Sequence, residues 1–366
     1  SYIYPAMAIS FRSAGIQIAT HFSCDPISLA PYNTEYNTHY MNLNYTPQKA
    51  LSLKICSEVF HEIPMYSNFG VYPENNSFEN FSVNYQKDLA EYNSEDKFFY
   101  TNDTQSTPKN HSKLKEIAGY GNSAVVNYDG TGAYFLDKIE DGLWRLEVMP
   151  DAIRVDNPFG RNSLDKKVAV INWETHEMSV DLKNLGKDFS IEALNEGNLF
   201  STQVDGNSFK IRPGSYMLSW RGIAKNWSRT DAFKTNKLND FYAPKSNVEN
   251  TYLNHIPKDE ISEETPLIIS TDFISELPPK ELMVLGNNGP GTYFNIQMQS
   301  DGKYHYSAEI PTEYMHVGFL NYNIVATFED DSQITYPSGK EGNLYDWDFY
   351  DRKSYEVAVV AQENPI

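Results

Sequence analysis

From residue 117 onward the sequence breaks into short apolar-polar runs separated by turn residues, and this rhythm restricts the chain to mainly β architectures. Residues 124–128 (AVVNY) run into Asp129-Gly130, a two-residue hairpin signal, and residues 133–136 answer on the far side. LWRLEV at 143–148 alternates cleanly. Further strands are predicted at 168–173, 178–182, 189–194, 209–211 and 216–220, with turns at 184–187, 195–198 and 205–206 between them. Short strands at such spacing predict a β-sandwich. A second set follows at 267–270, 281–285, 293–298, 304–310, 317–328 and 355–360. Gly286 to Gly291 (GNNGPG) reads as a turn; no Lys-Ser/Thr follows it, so it is no phosphate loop. Between the two sets, residues 223–266 are polar and read as a linker with a short ordered segment around Phe241-Tyr242. Residues 65 to about 115 read as long loops with short strands, such as 98–101.

The first 66 residues follow another pattern. Ile3, Met7, Phe11 and Ala14 fall at helical spacing, and Gly15 stands where a helix C-cap would. Residues 16–22 are apolar or β-branched on both faces, as a parallel strand covered on both sides would be. Residues 23–45 form a loop too long for a plain connection. Thr46-Pro47 then predicts a helix start, with Leu51, Ile55, Val59 and Ile63 as its apolar stripe and Pro64 as its stop.

Composition narrows the function classes. Hydrophobic residues are 40% and charged residues 22%, which is a globular balance. A formal charge of −19 excludes polyanion binding by bulk electrostatics, so nucleic acid is not expected as a partner, whereas a neutral glycan is compatible. Aromatics reach 14%, with 26 Tyr; all-β domains use Tyr as half-buried pleat residues, and the same side chains stack on sugars. Two cysteines, Cys24 and Cys56, make neither a disulfide framework nor a thiolate metal site and are expected as buried thiols. No stretch is long enough to span a bilayer, and the opening SYIYPAMAISF is not a signal peptide.

GIQIATHFSCD followed by NTEYNTHYMNLNYTPQKALSLKICSEVFHEIP resembles the last strand and last helix of retaining TIM-barrel glycoside hydrolases, in which a TPxKA-like start to the final helix recurs. PGSYMLSW at 213–220 is similar to the closing strand of the small β domain that often follows such barrels. The resemblance implies a multidomain, mainly β chain: residues 1–66 as the end of a (β/α)8 barrel, 67–222 as a β-sandwich, 223–266 as a linker, and 267–366 as a second, jelly-roll-like sandwich able to bind carbohydrate. It implies the C-terminal portion of a bacterial polysaccharide hydrolase that is secreted, periplasmic or on the cell surface. The two catalytic carboxylates of that clan sit at the ends of the fourth and seventh strands, which places them on an upstream remainder of the enzyme or on a partner chain. Where the family often carries a Trp under the reactive sugar, this chain has Thr20-His21-Phe22, so His21 or Phe22 takes that place. The alternative class is a non-catalytic glycan-binding or scaffold protein of β modules.

The site candidates follow. Glu35, in Asn33-Thr34-Glu35-Tyr36, is a weak candidate for catalysis, a candidate for polar contact with substrate, and otherwise a loop carboxylate. Asp25 follows the expected strand at the face where barrel sites lie, and Asp25-Pro26 is equally a turn starter. His21, Phe22, Asp25, Asn33, Glu35 and His39 together form the candidate substrate side. The His and carboxylate spacing fits no tight metal site. Asp346-Trp347-Asp348-Phe349-Tyr350-Asp351 is the densest aromatic-acid cluster. As a strand it would put Trp347 and Phe349 on one face, and Asp346, Asp348 and Tyr350 on the other, either for sugar binding or as a core plug. No cofactor is expected; Ca²⁺ could be held only through Asp346 and Asp348 or through Glu329-Asp330-Asp331.

Overall fold

The computed structural model describes residues 2–21, 26–32, 42–71, 75–157 and 163–362. The protein is mainly β, with several separate sheets and, among the described residues, two α-helices. It divides into two compact units, Ser1–Ile153 with Pro158–Asn247, and Arg154–Asn157 with Val248–Ile366.

In the first unit, α1 (Ile3–Ser13) and α2 (Pro47–Glu62) are followed by β1 (Ser77–Phe78), β2 (Phe81–Asn84), β3 (Leu89–Asn93), β4 (Lys97–Tyr100) and β5 (Glu116–Gly119). Next come β6 (Val126–Tyr128), β7 (Tyr134–Glu140), β8 (Leu143–Val148), β9 (Asp151–Arg154), β10 (Ala169–Asn172) and β11 (His176–Val180). β12 (Phe189–Ala193), β13 (Ser208–Ile211), β14 (Gly214–Trp220) and the short β15 (Ala232–Phe233) and β16 (Asn236–Lys237) complete the unit. Nine strands make one sheet in the order β1-β2-β3-β4-β5-β7-β8-β14-β12, and β13-β11-β6 make a second.

The large sheet is covered on both faces, and its sequence shows why. In β4, Phe98 and Tyr100 enter the core shared with the small sheet, while Phe99 between them enters the core under the helices. In β5, Ile117 and Ala118 divide the same way. Period-2 alternation thus feeds two cores from one continuous apolar run. The helical core gathers Ala8 and Ile9 of α1, the Leu51-Ile55-Val59-Ile63 stripe of α2, and Phe81, Tyr92 and Phe99 of the sheet. The α2 stripe lies where its spacing predicts, each member 2% exposed or less.

Four local expectations are corrected. The stripe read for α1 does not face the core: Ile3 and Met7 are 52% and 44% exposed, and Pro5, Ala8, Ile9 and Arg12 are the buried face. Ala8 and Ile9 join the α2 stripe in one core, and Arg12 is tolerated because its guanidinium is paired, Nε donating to Ile63 O at 2.6 Å. The strand expected over 16–22 is not formed; residues 16–21 carry neither helix nor strand, and Phe22 lies outside the described residues. A strand needs a ladder neighbour, and the backbone here is tied instead by Ile16 N to Phe11 O and by Arg12 Nη1 to Ile16 O.

Asp129-Gly130 does not close a hairpin. β6 pairs with β11, and β7 pairs with β5 and β8. The turn instead carries the chain from the small sheet to the large one, so that Tyr128 and Tyr134 meet edge to face at 5.5 Å across the core. The first half of the expected linker is ordered: Trp227, Phe233 and Leu238 pack with Leu143, Leu194 and Met217. Arg145 fastens it, Nε donating to Leu238 O at 2.9 Å and Nη2 to Asp240 O at 2.8 Å. Few apolar residues suffice there because each finds a ready-made surface.

The second unit holds β17 (Tyr252–Asn254), β18 (Glu260–Ser262), β19 (Leu267–Ile274), β20 (Glu281–Asn287), β21 (Tyr293–Gln297) and β22 (Gln299–Gly302). β23 (His305–Ile310), β24 (Gly318–Thr327), β25 (Gln333–Tyr336), β26 (Lys340–Glu341) and β27 (Tyr355–Val360) follow. One sheet is β17-β19-β23-β22; the other runs β18-β27-β24-β20-β21, with β25 and β26 continuing from β24. Alternate residues of both sheets, among them Ile269, Ile310, Val284, Ile324 and Val357, fill one core. The GNNGPG turn joins β20 to β21, with Gly289 and Gly291 at positive φ.

Candidate functional site

Because α1 buries only its Ala8-Ile9-Arg12 face, its opposite flank and the segment after it bound an open groove of about 480 Å³. Tyr4, Met7 and Phe11 come from α1, Ile18 and His21 from residues 17–21, and Cys56, Phe60 and His61 from α2. Gly15 makes the turn between the first two elements at φ 81°, a conformation that disfavours a side chain. A Cβ there would also collide with the Tyr66 ring. Arg12 pins the base by bonding carbonyls on both sides, Ile16 and Ile63, with its guanidinium 5.6 Å from the Phe60 ring centroid. Ile18 stands 75% exposed at the mouth.

The polar groups of the groove are few. Tyr4 Oη and His21 Nε2 are 3.0 Å apart, and Ser57 Oγ and His61 Nδ1 are 3.5 Å apart. Burial, and then the charge of Lys49, push the His21 pKa below its ordinary value, so a neutral imidazole is favoured. Burial pushes the Cys56 thiol up to about 12, which leaves a free but unreactive sulfhydryl. No carboxylate lines the groove among the described residues, so it supplies binding surface rather than the acid-base pair that glycoside hydrolysis needs. Of the expected substrate-side residues the structure places His21 in this groove; Phe22, Asp25, Asn33, Glu35 and His39 lie outside the described residues. Tyr4 and His61 were not anticipated; their spacing from Met7 and from Ser57 along one helix flank was the available signal.

The aromatic-acid cluster of the second unit is a run of turns rather than a strand, so its alternation is lost. Phe349 is buried, packed beside Gly342, while Trp347 and Tyr350 are 89% and 83% exposed. Trp347 is therefore not a core plug, and it does not share a face with Phe349. Asp346 closes the turn, its Oδ2 accepting from Asn343 N at 2.8 Å. Asp348 is exposed on the same loop. In the other acidic run, Asp330 accepts from Ser332 and Asp331 pairs with Lys280 at 2.8 Å. Among the described residues no three His, Cys, Asp or Glu side chains are gathered as a metal site, and no helix is long and apolar enough to cross a membrane.

No family model matches the chain, and no curated protein sequence matches it.

Proposed function

We propose that this chain is the C-terminal portion of a retaining, two-carboxylate glycoside hydrolase acting on a polysaccharide outside the cytoplasm. In this reading residues 1–66 are the end of the (β/α)8 barrel, with residues 16–22 as the last strand, and the β layers behind them are accessory sandwich modules. The observation that carries it is the apolar flank of α1 and the segment after it: Met7 and Ile18 are exposed at a groove lined by Phe11 and Phe60, and Ile3 is exposed one turn before Met7. An amphipathic helix pair with one apolar side packed and the other bare suits a layer awaiting neighbours. Residues 16–21, without ladder partners, suit a strand awaiting a parallel neighbour. The catalytic acid/base and nucleophile then belong to the remainder of the enzyme, and His21 at the groove stands on the substrate side.

A second reading, a glycan-binding protein without turnover, is favoured by the exposure of Trp347 and Tyr350. The natural gene product, incubated with a panel of soluble polysaccharides, separates the two. Release of reducing ends with retention of anomeric configuration, followed by proton NMR, is the result expected of the hydrolase. Retardation by a glycan with no release selects the binding protein.

A further inference from the structure

The outer face of the large sheet in the second unit carries its own recognition chemistry. Residues paired across strands share a face, as do residues two apart along a strand. Asn287 of β20 pairs with Tyr293 of β21 and with Asn321 of β24, and Asn321 pairs with Glu356 of β27. Asn295 and Phe319, two residues from Tyr293 and Asn321, join the set. The intervening residues, Phe294, Leu320, Tyr322 and Val357, enter the core, so this set points outward. Tyr293 and Phe319 are 65% and 60% exposed. Among the described residues the side-chain amides of Asn287 and Asn295 have no hydrogen-bond partner, while Asn321 Oδ1 accepts from Ser354 Oγ at 3.3 Å.

We infer that this face binds a neutral oligosaccharide chain. Two flat aromatics beside three amides match a pyranose, which offers an apolar ring face and a rim of hydroxyls that both donate and accept. Glu356 is the one charged side chain in the set, and the chain's charge of −19 disfavours an acidic polymer. Four neighbouring strands give a floor about 14 Å wide, long enough for a run of sugar rings rather than a single one. One end is closed off. Asn323, next on that face of β24, is buried and donates to Tyr336 O at 3.0 Å and Lys353 O at 2.7 Å, so the segment leading into β27 crosses the face there. The chain between β26 and β27 also carries Trp347 and Tyr350, 89% and 83% exposed.

The inference rests on the glycan reading above and names the module's ligand and surface. Native affinity electrophoresis of the natural protein through gels containing hydroxyethylcellulose, galactomannan, soluble starch or polygalacturonate tests it. Retardation by at least one neutral polymer is expected, with about tenfold weaker affinity for Tyr293→Ala/Phe319→Ala. The melting temperature checks that this variant stays folded; Asn295→Ala, a second exposed change, gives a smaller loss. No retardation by any neutral polymer, preference for polygalacturonate, or full retardation of the double variant overturns the site. Reducing-end release is read in parallel: turnover without retardation removes this site and leaves the hydrolase standing, whereas neither activity removes both.

Discussion

Tyr4 Oη and His21 Nε2 lie 3.0 Å apart, their rings edge to face at 5.3 Å, and this contact holds residues 16–21 against α1. Tyr4→Phe removes the hydrogen bond and leaves the ring. It should loosen residues 16–21 by about 0.5–1.5 kcal/mol without changing global unfolding. Hydrogen exchange confined to those residues checks it; an unchanged exchange rate would mean the bonds of Ile16 N to Phe11 O and of the Arg12 side chain to Ile16 O hold the segment alone.

Ile18→Asp and Met7→Glu separate an exposed surface from an unfilled interface. In this chain alone both positions are open, so each change should alter unfolding free energy by no more than about 0.5 kcal/mol. In the natural gene product the same changes bury a charge if the groove is covered, and stability or activity should fall sharply. Equal, small effects in both settings would leave the groove a plain surface.

Ile55 is fully buried between α1 and the sheet. Ile55→Ala leaves a cavity there and should cost about 2–5 kcal/mol in chemical denaturation. A loss under about 1 kcal/mol would show that α2 contributes little to the first unit.

His176 Nε2 and Asp151 Oδ2 are 2.5 Å apart, and Asp151 Oδ1 also accepts from Thr131 N. Burial alone would lower the His176 pKa, but the hydrogen bond and charge of Asp151 outweigh it and hold the pKa above the ordinary 6.5. The folded state therefore binds the proton more tightly than the unfolded state. Its stabilisation is full below pH 6.5 and is lost as pH rises through the higher folded value. Denaturation series on the protein and on His176→Gln should differ in slope in that window, the variant lacking the decline. Parallel curves would assign no linkage to the pair.

Trp347→Ala should leave thermal stability unchanged, since its side chain is almost wholly exposed, and should weaken glycan retardation several-fold. Unchanged retardation would remove the loop from the binding surface.

Much of the fold was legible where one pattern answered to one neighbour. The stripe of α2 met a single core and formed as read, and β8 formed over the residues expected although Leu143 and Trp144 enter different cores. The misreadings arose where local signals competed with tertiary ones. Asp129-Gly130 is a good turn in isolation, but Tyr128 and Tyr134 are both needed from opposite sheets of one core. In α1, Ile3 and Met7 marked the wrong flank: the helix is apolar on more than one side, and the side packed in the core with the α2 stripe carries Ala8 and Ile9. At the candidate groove only His21 was named beforehand. Its other walls come from elements about forty residues apart in sequence, and no local spacing announces such a meeting. The amide-aromatic face of the second unit was hidden for the same reason, because its members become neighbours only through strand register.

The most direct test of the central proposal compares hydrogen exchange in residues 3–21 between this chain alone and the natural gene product. If α1 and residues 16–21 are the end of a larger barrel, the amides of residues 17–21 should be strongly protected in the natural product and exchange quickly here, where they carry neither helix nor strand. Identical exchange in both, or a natural product with no further residues, would contradict the account and leave the groove an ordinary surface.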